Sequence, residues 1–356
     1  MLRPKCNITI TKSTGESVEF NFVTQFEINE GYEFLTNTAQ LILPRKITQT
    51  GIPLFTGTDP LFKRKDKIKI EAGYFPNSRV LFEGYISHVS ANVPTRLECE
   101  DNMFLFKQFK ITYPKNVTIQ RTSSKTGRPL KNARIVSENI KLSQLIGNIF
   151  EEGQYQDLLD GIDFEILDDI NLGQFRATNA SPAQVFDKLR SAYGLYTYFV
   201  GNKLYCGFAS NAGSTTEATF NMEKVCINSN ELDYQRAEDI TIKVKYISIL
   251  PDNSRLEAEA GDSSGEQRTY HVYNVTSQTD LQKMAQKRVD DYKYTGFRGY
   301  FETFGEPYLN HGDRLIMEST KLPERNGTYL IKSVRRLFGV EQGYRQLFEL
   351  GVKISE

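Results

Sequence analysis

The 356-residue sequence has no tryptophan, three histidines and four cysteines, and each shortage removes a class of function. Cys6, Cys99, Cys206 and Cys226 have neither the close spacing of zinc ligands nor the density of a disulfide scaffold. Cys6, Cys99 and Cys206 fall in strand-like runs, which suits buried free thiols. His88, His271 and His311 form no H-E-x-x-H or comparable ligand pair, and no G-x-G-x-x-G or phosphate-loop motif occurs. The sequence therefore offers no metal, cofactor or nucleotide site. No run approaches the roughly 18 apolar residues of a membrane span, and MLRPKCNITI enters a strand pattern without an apolar leader. A soluble product of a reducing cytoplasm, without a standard secretion signal, is expected. Net charge is absent too: 44 Lys plus Arg balance 44 Asp plus Glu, so there is no overall pull toward nucleic acid or an anionic membrane.

What is present is strand pattern. Aromatics make up 12%, all Tyr and Phe, and with plentiful Thr, Ile and Val they favour pleated sheet. From residue 5 to about 101 the dominant period is two: Val18, Phe20 and Phe22; Ala39, Leu41 and Leu43; Ile68, Ile70 and Ala72; Phe82, Gly84 and Ile86; Leu97 and Cys99. With turn signals at Ser13-Thr14-Gly15 and Phe75-Pro76-Asn77-Ser78 this predicts a small antiparallel barrel or sandwich.

The middle of the chain changes period. Leu142, Leu145, Ile146, Ile149 and Phe150 form a helical stripe ended by Gly153. A second helix opens on Ser181 with Pro182 in its first turn and Gln184 completing a capping box; Val185, Phe186, Leu189 and Tyr193 form its apolar face before Gly194 stops it. Leu195 to Val200, Gly201-Asn202 and Lys203 to Phe208 read as a hairpin. Strand pattern returns at Ile240 to Leu250, followed by a polar loop around Pro251 to Gln267 and a helix from about Asp280 to Tyr294. Phe348, Leu350, Val352 and Ile354 then alternate in a terminal strand. The expected fold is mainly β with an α+β insert: a first β-barrel domain over 1–111, an α+β domain over 112–237 and a second β-barrel domain with one helix over 238–356.

Three segments carry a resemblance. The first is Leu81-Phe82-Glu83-Gly84-Tyr85-Ile86 with Leu97-Glu98-Cys99-Glu100-Asp101 leading into Met103 to Phe106. The second is the helix–hairpin from Ser181 to Gly207, and the third is His311-Gly312-Asp313-Arg314-Leu315 followed by Gly327 to Ile331 and the last strands through Gly343-Tyr344. In this order the sequence resembles the baseplate hub family of contractile tails, the late control protein D group, which includes Mu-like tail proteins and the N-terminal part of type VI secretion spike proteins. The resemblance implies a homotrimer whose subunits each donate two similar barrels to a ring of pseudo-sixfold symmetry. The ring joins tail tube to spike, with the spike a separate protein, in a virion tail assembled after synthesis in the bacterial cytoplasm. Duplicating a barrel within one chain turns threefold chain symmetry into sixfold surface symmetry, and cyclic closure makes a finite ring. The implied partners are the chain itself, tube and spike proteins, and tape-measure protein or DNA in transit. A hub of a secretion system or extracellular contractile particle fits the same resemblance.

The alternative from another class is a cell-wall hydrolase or glycan-binding module. Gly261-Asp262-Ser263-Ser264-Gly265 matches G-x-S-x-G, but a nucleophile elbow needs a buried strand before the serine and a helix after it, and Glu257-Ala258-Glu259-Ala260 and Glu266-Gln267-Arg268 supply neither. A flexible loop is expected. The carboxylate pairs Glu151-Glu152 and Asp168-Asp169 could in principle cleave a glycoside, but solvated surface is the expectation for both. No catalytic residue is expected. One charge pattern has a sharper reading. Between Asn102 and Ser137 eight bases (Lys107, Lys110, Lys115, Arg121, Lys125, Arg128, Lys131, Arg134) meet no acid; Leu142 to Phe175 holds eight acids (Glu151, Glu152, Asp157, Asp160, Asp163, Glu165, Asp168, Asp169) and no base. Two solvated loops would explain this. The alternatives are complementary patches between neighbouring subunits, or a basic 115–134 segment lining the channel. The candidate contacts are Lys115, Arg121, Lys125, Arg128, Lys131 and Arg134 against Glu151, Glu152, Asp157 and Asp160.

Overall fold

In the computed structural model, residues 3–49, 52–55, 61–90, 92–113, 118–119, 135–136, 139–151, 153–208, 216–250, 252–273 and 275–355 are described. The period-two runs become strands with one face buried: Thr38–Leu43 puts Ala39, Leu41 and Leu43 inward, and Lys67–Tyr74 does the same with Ile68, Ile70 and Ala72. Most strands join one 13-stranded sheet.

The expectation of a mainly β chain with an α+β insert holds. The two separate closed barrels do not. Among the described residues no sheet closes on itself, and the N-terminal and C-terminal strands run into a single sheet. The join is the antiparallel pairing of Gln25–Gly31 with Gly327–Gly339, in register from Gly31 opposite Ser333 to Gln25 opposite Gly339. The N-terminal strands curl until Phe338 and Tyr344, from the C-terminal hairpin, enter the same core as Ile8, Ile70 and Phe26. The gap that remains is bridged by side chains. Tyr74 Oη donates to the Tyr344 carbonyl at 3.0 Å and accepts from Gly305 N–H at 3.1 Å, and Arg79 pairs with Glu306 at 2.7 Å. One edge of the sheet is Ser17–Phe20, a four-residue strand that pairs with Pro4–Thr11; short edge strands limit further pairing.

The middle elements follow their local signals. Ser181 Oγ accepts from Gln184 N–H at 3.3 Å while Gln184 Oε1 accepts from Ser181 N–H at 2.8 Å, the reciprocal bonds of a capping box at the start of the Pro182–Lys188 helix. The helix widens into a π turn over Leu189–Tyr193 and stops at Gly194, which has φ +73°. The Tyr196–Val200 and Lys203–Gly207 hairpin follows, with Asp163–Ile166 added in parallel. The Ile242–Ile249 strand and the Gln278–Tyr292 helix share the core of these elements through Val244, Tyr246, Leu281 and Met284.

The polar loop expected at Pro251 to Gln267 is mostly strand. Arg255–Gly261 and Glu266–Tyr273 flank Ile242–Ile249, the first antiparallel and the second parallel. Leu256, Ala258 and Ala260 face inward beneath the Gln278–Tyr292 helix. On the outer face Lys243 and Lys245 meet Glu257 and Glu259 at 2.5 to 3.3 Å. Alanine and glutamate are weak strand formers; the cross-strand charge pairs and the helix cover compensate.

Candidate assembly site

Six of the sequence candidates, Lys115, Arg121, Lys125, Arg128, Lys131 and Arg134, and also Glu152, lie outside the described residues. Glu151, Asp157 and Asp160 are described and exposed. Asp160 borders a cleft of about 400 Å³ between the N-terminal strands and the middle segment, opposite Lys67 and Lys69. The rest of the acidic run is partly neutralised within the chain: Glu165 pairs with Lys203 at 2.5 Å and Asp169 with Lys141 at 3.8 Å.

The pair Asp168-Asp169 departs from the solvated surface expected of it. Asp168 is buried, accepts from Phe208 N–H at 3.1 Å and pairs with Lys283 of the Gln278–Tyr292 helix at 2.7 Å. Asp169, though exposed, accepts from Ser143 N–H at 2.9 Å at the start of the Leu142–Phe150 helix, where a negative charge is favoured. Both are anchors of the fold, which isolated sequence spacing does not reveal.

Ser263 sits in an exposed turn between two strands, not between a strand and a helix. The expected flexible loop is a tight crossing over the end of Ile242–Ile249. Asp262 N–H donates to the Ile242 carbonyl at 2.8 Å, and the Asp262 carboxylate is held by Lys293 at 2.6 Å. A Cβ on Gly261 or Gly265 would collide with the backbone of Ile242, so the glycines of G-x-S-x-G serve close approach. His271 is exposed on Glu266–Tyr273, while His311 is buried elsewhere.

Where the parts of the chain meet, one backbone carbonyl does much of the joining. Phe199, in the middle hairpin, accepts from Asn37 Nδ2 at 3.1 Å and from His311 Nε2 at 3.0 Å. A carbonyl only accepts, so His311 carries its proton on Nε2. Burial holds the imidazole neutral, with its pKa lowered to about 4. Asn37 Oδ1 accepts from Gly31 N–H at 3.1 Å, and its own N–H donates to Asp101 at 3.0 Å. Asp101 also accepts from Met103 N–H at 3.0 Å, yet burial raises its pKa to about 7. Nearby, the fully buried Arg336 crosses the join: it pairs with Glu30, donates to the Leu309 carbonyl at 2.7 Å and lies over the Tyr308 ring at 4.5 Å. Burial pushes its guanidinium down to about 10. His311, which has no metal-ligand spacing in the sequence, thus serves the structure; Asn37 carried no signal beyond being a polar residue between strands.

No protein-family model matches the sequence, and no curated protein matches it. Solved structures do. The chain aligns over 97% of its length with 96% of the tail protein from Neisseria meningitidis MC58, at a TM-score of 0.64 and 10% identity. The prophage MuSo2 43 kDa tail protein from Shewanella oneidensis aligns over 98% of both chains, with a TM-score of 0.59 and 14% identity. An E. coli component of the type VI secretion system, described as structurally similar to T4 bacteriophage tail proteins gp27 and gp5, matches 94% of this chain and 74% of its own, with a TM-score of 0.54 and 13% identity. The chain therefore has the fold of phage tail proteins and of a type VI secretion component, the group that its motif order resembles.

Proposed function

We propose that this chain is a structural hub subunit of a phage tail baseplate, joining the tail tube to the central spike and lining the delivery channel. Its work is done by interfaces and symmetry, without catalysis. The observation that carries this reading is the end-to-end likeness to a tail protein, 97% of one chain against 96% of the other. Three copies form a ring, each giving two curled β regions, in the tail of a virion after synthesis in the bacterial cytoplasm. Tube, spike, and tape-measure protein or DNA in transit are its partners. The E. coli type VI component favours a second reading, in which the same hub serves a secretion system or extracellular contractile particle.

Light scattering on the purified chain tests the hub: a trimer is expected, and a monomer at every concentration overturns the ring. The basic 115–134 segment faces the exposed Glu151, Asp157 and Asp160 of a neighbouring copy, because complementary charge fixes register between subunits. Reversing Arg121, Lys125 and Arg128 to Glu abolishes the trimer on this reading. An intact trimer that no longer ejects DNA would instead assign the segment to the channel. Esterase or peptidase activity lost on Ser263→Ala would overturn the structural role.

A further inference from the structure

The two curled β regions follow one plan, and the match begins at a turn. Asp66 Oδ2 accepts from Lys63 N–H and Asp313 Oδ2 from Asn310 N–H, both at 2.7 Å. The residue before each aspartate has a positive φ, +80° at Lys65 and +83° at Gly312. Lys65 N–H donates to the Ile86 carbonyl at 2.9 Å, as Gly312 N–H does to that of Ile331 at 2.8 Å. Ile86 and Ile331 return bonds to the Asp66 and Asp313 carbonyls at 2.9 and 3.0 Å. With Ile86 matched to Ile331, the cross-strand rows correspond: Ile86, Cys99, Ala39 and Ile28 in one region, Ile331, Leu350, Gly299 and Leu232 in the other. Both long strands then shift register over one residue, Ser87 and Lys332.

The regions differ in what lies against those long strands. Gly327–Gly339 is paired along one edge by two strands in succession, Arg314–Glu318 as far as Leu330 and then Gln25–Gly31 from Ser333. Arg79–Ser90 has only the first kind of partner: Lys67–Tyr74 covers it as far as Tyr85, and among the described residues 88–90 meet no strand on that edge. The strand that matches Gln25–Gly31 is Cys226–Gln235, which ends the sheet with its outer edge unpaired. Arg325 crosses to its first half, donating to Ser229 Oγ at 3.1 Å, and 231–235 stay open. An open row of backbone donors and acceptors is a template for another strand. Each open edge lacks the partner that its counterpart has within the chain.

We infer that 231–235 of one copy pair antiparallel with 88–90 of the next, repeating between copies the join of Gln25–Gly31 with Gly327–Gly339. The register carries over. Gly31 opposite Ser333 becomes Gln235 opposite His88, Glu30 opposite Val334 becomes Tyr234 opposite Val89, and Asn29 opposite Arg335 becomes Asp233 opposite Ser90. The side chains suit it: Tyr234, 49% exposed, covers the half-buried Val89, and Asp233 reaches past the small Ser90 to the exposed Arg96 beside it. The join within the chain has the same polarity, with Arg335 held by Glu27 at 2.9 Å and Lys332 by Glu33 at 3.0 Å. A contact between two different surfaces closes into a ring when its rotation allows, and here covalent and non-covalent joins would alternate around it.

The pairing rests on the ring proposed above, and two readouts separate their failures. Ser90→Cys with Asp233→Cys in one chain puts thiols on directly opposed residues, about 4.5–5.5 Å apart at Cα and within disulfide reach. Oxidation with copper phenanthroline should give a covalent trimer on a non-reducing gel, and neither single variant should. Light scattering on the same protein without oxidant reports the trimer independently. A trimer that does not cross-link overturns the pairing and leaves the hub intact, whereas a monomer at every concentration overturns both. Linking through Glu19→Cys with Asp233→Cys instead would put the other end of the sheet, Ser17–Phe20, at this edge and equally overturn it. On the native chain, amides of 88–90 and 231–235 should exchange at least about tenfold more slowly in the trimer than after dilution to monomer; unchanged exchange overturns the pairing without any substitution.

Discussion

Because Asn37 and His311 donate to the same carbonyl, removing both should cost more than the sum of removing each. Asn37→Ala deletes two side-chain bonds and strands the Gly31 N–H, but the Phe199 carbonyl keeps its bond from His311. A loss of about 2–3 kcal/mol follows from one unsatisfied buried donor and one lost bond. His311→Phe keeps a ring against Tyr198, whose centroid lies 5.3 Å away, and the carbonyl keeps Asn37. The loss should be about 1 kcal/mol. In the double variant neither side chain reaches the carbonyl, at a hairpin strand whose ladder partner lies on the other side only. Leaving it bare adds about 1–2 kcal/mol beyond the sum. Urea unfolding followed by far-UV circular dichroism, with unchanged denaturant slope, measures all three. Additivity within about 0.5 kcal/mol would refute the shared-acceptor argument.

Gly194→Ala places a Cβ 2.7 Å from Arg288 Nε at a φ of +73°, and should cost about 2–4 kcal/mol, read as a lower melting temperature. Asp168→Asn weakens the pairing with Lys283; since the lysine is 42% exposed, about 1–2 kcal/mol is expected in thermal unfolding, and Lys283→Met should cost less. His311 has a folded pKa of about 4 against an ordinary 6.5, so the unfolded chain takes up its proton first and stability falls by up to about 3 kcal/mol as pH drops from 6.5 to 4. Asp101 acts in the opposite direction: its pKa is raised to about 7 from 3.8, so acidification over that range adds stability. Relative to the native chain, His311→Phe should therefore gain stability on acidification and Asp101→Asn should lose it; profiles unchanged by either substitution would sink this account.

The parts of the fold that rest on neighbouring residues were legible in the sequence. Ser181 and Gln184 cap a helix because both partners lie within one turn, and Gly201-Asn202 closes its hairpin for the same reason. Pairing between distant strands has no such local signature. Alternation shows that Gln25–Gly31 and Gly327–Gly339 each bury a face, but many partners would satisfy that pattern, and so two closed barrels were expected where one sheet runs through. The Arg255–Gly261 strand was hidden by Glu257 and Glu259, whose partners Lys243 and Lys245 lie on another strand. The same limit applied to the candidate site. Asp168 and Asn37 look like ordinary polar residues until the elements that answer them are brought together.

The shared sheet also constrains how such a subunit can move. For the two β regions to swing apart, the seven register pairs from Gly31–Ser333 to Gln25–Gly339 would have to open, along with the buried Arg336–Glu30 pair that spans them. Breaking a buried ion pair alone costs about 3–5 kcal/mol, and sheet cores belong to the most stable part of a domain. The middle hairpin is held differently. It reaches the β regions through side-chain bonds to one carbonyl, a bond from Asn102 Nδ2 to Asn202 Oδ1 at 3.0 Å, the Phe106–Phe199 ring contact and a small cluster of Tyr32, Tyr196, Tyr198 and Leu330. If the chain changes shape, the displacement should fall at this hairpin, while the sheet moves as one body. Native-state hydrogen exchange tests this: strand Gly327–Gly339 should exchange only by global unfolding, and Tyr196–Val200 by a smaller opening. Equal protection of the two strands would contradict the argument.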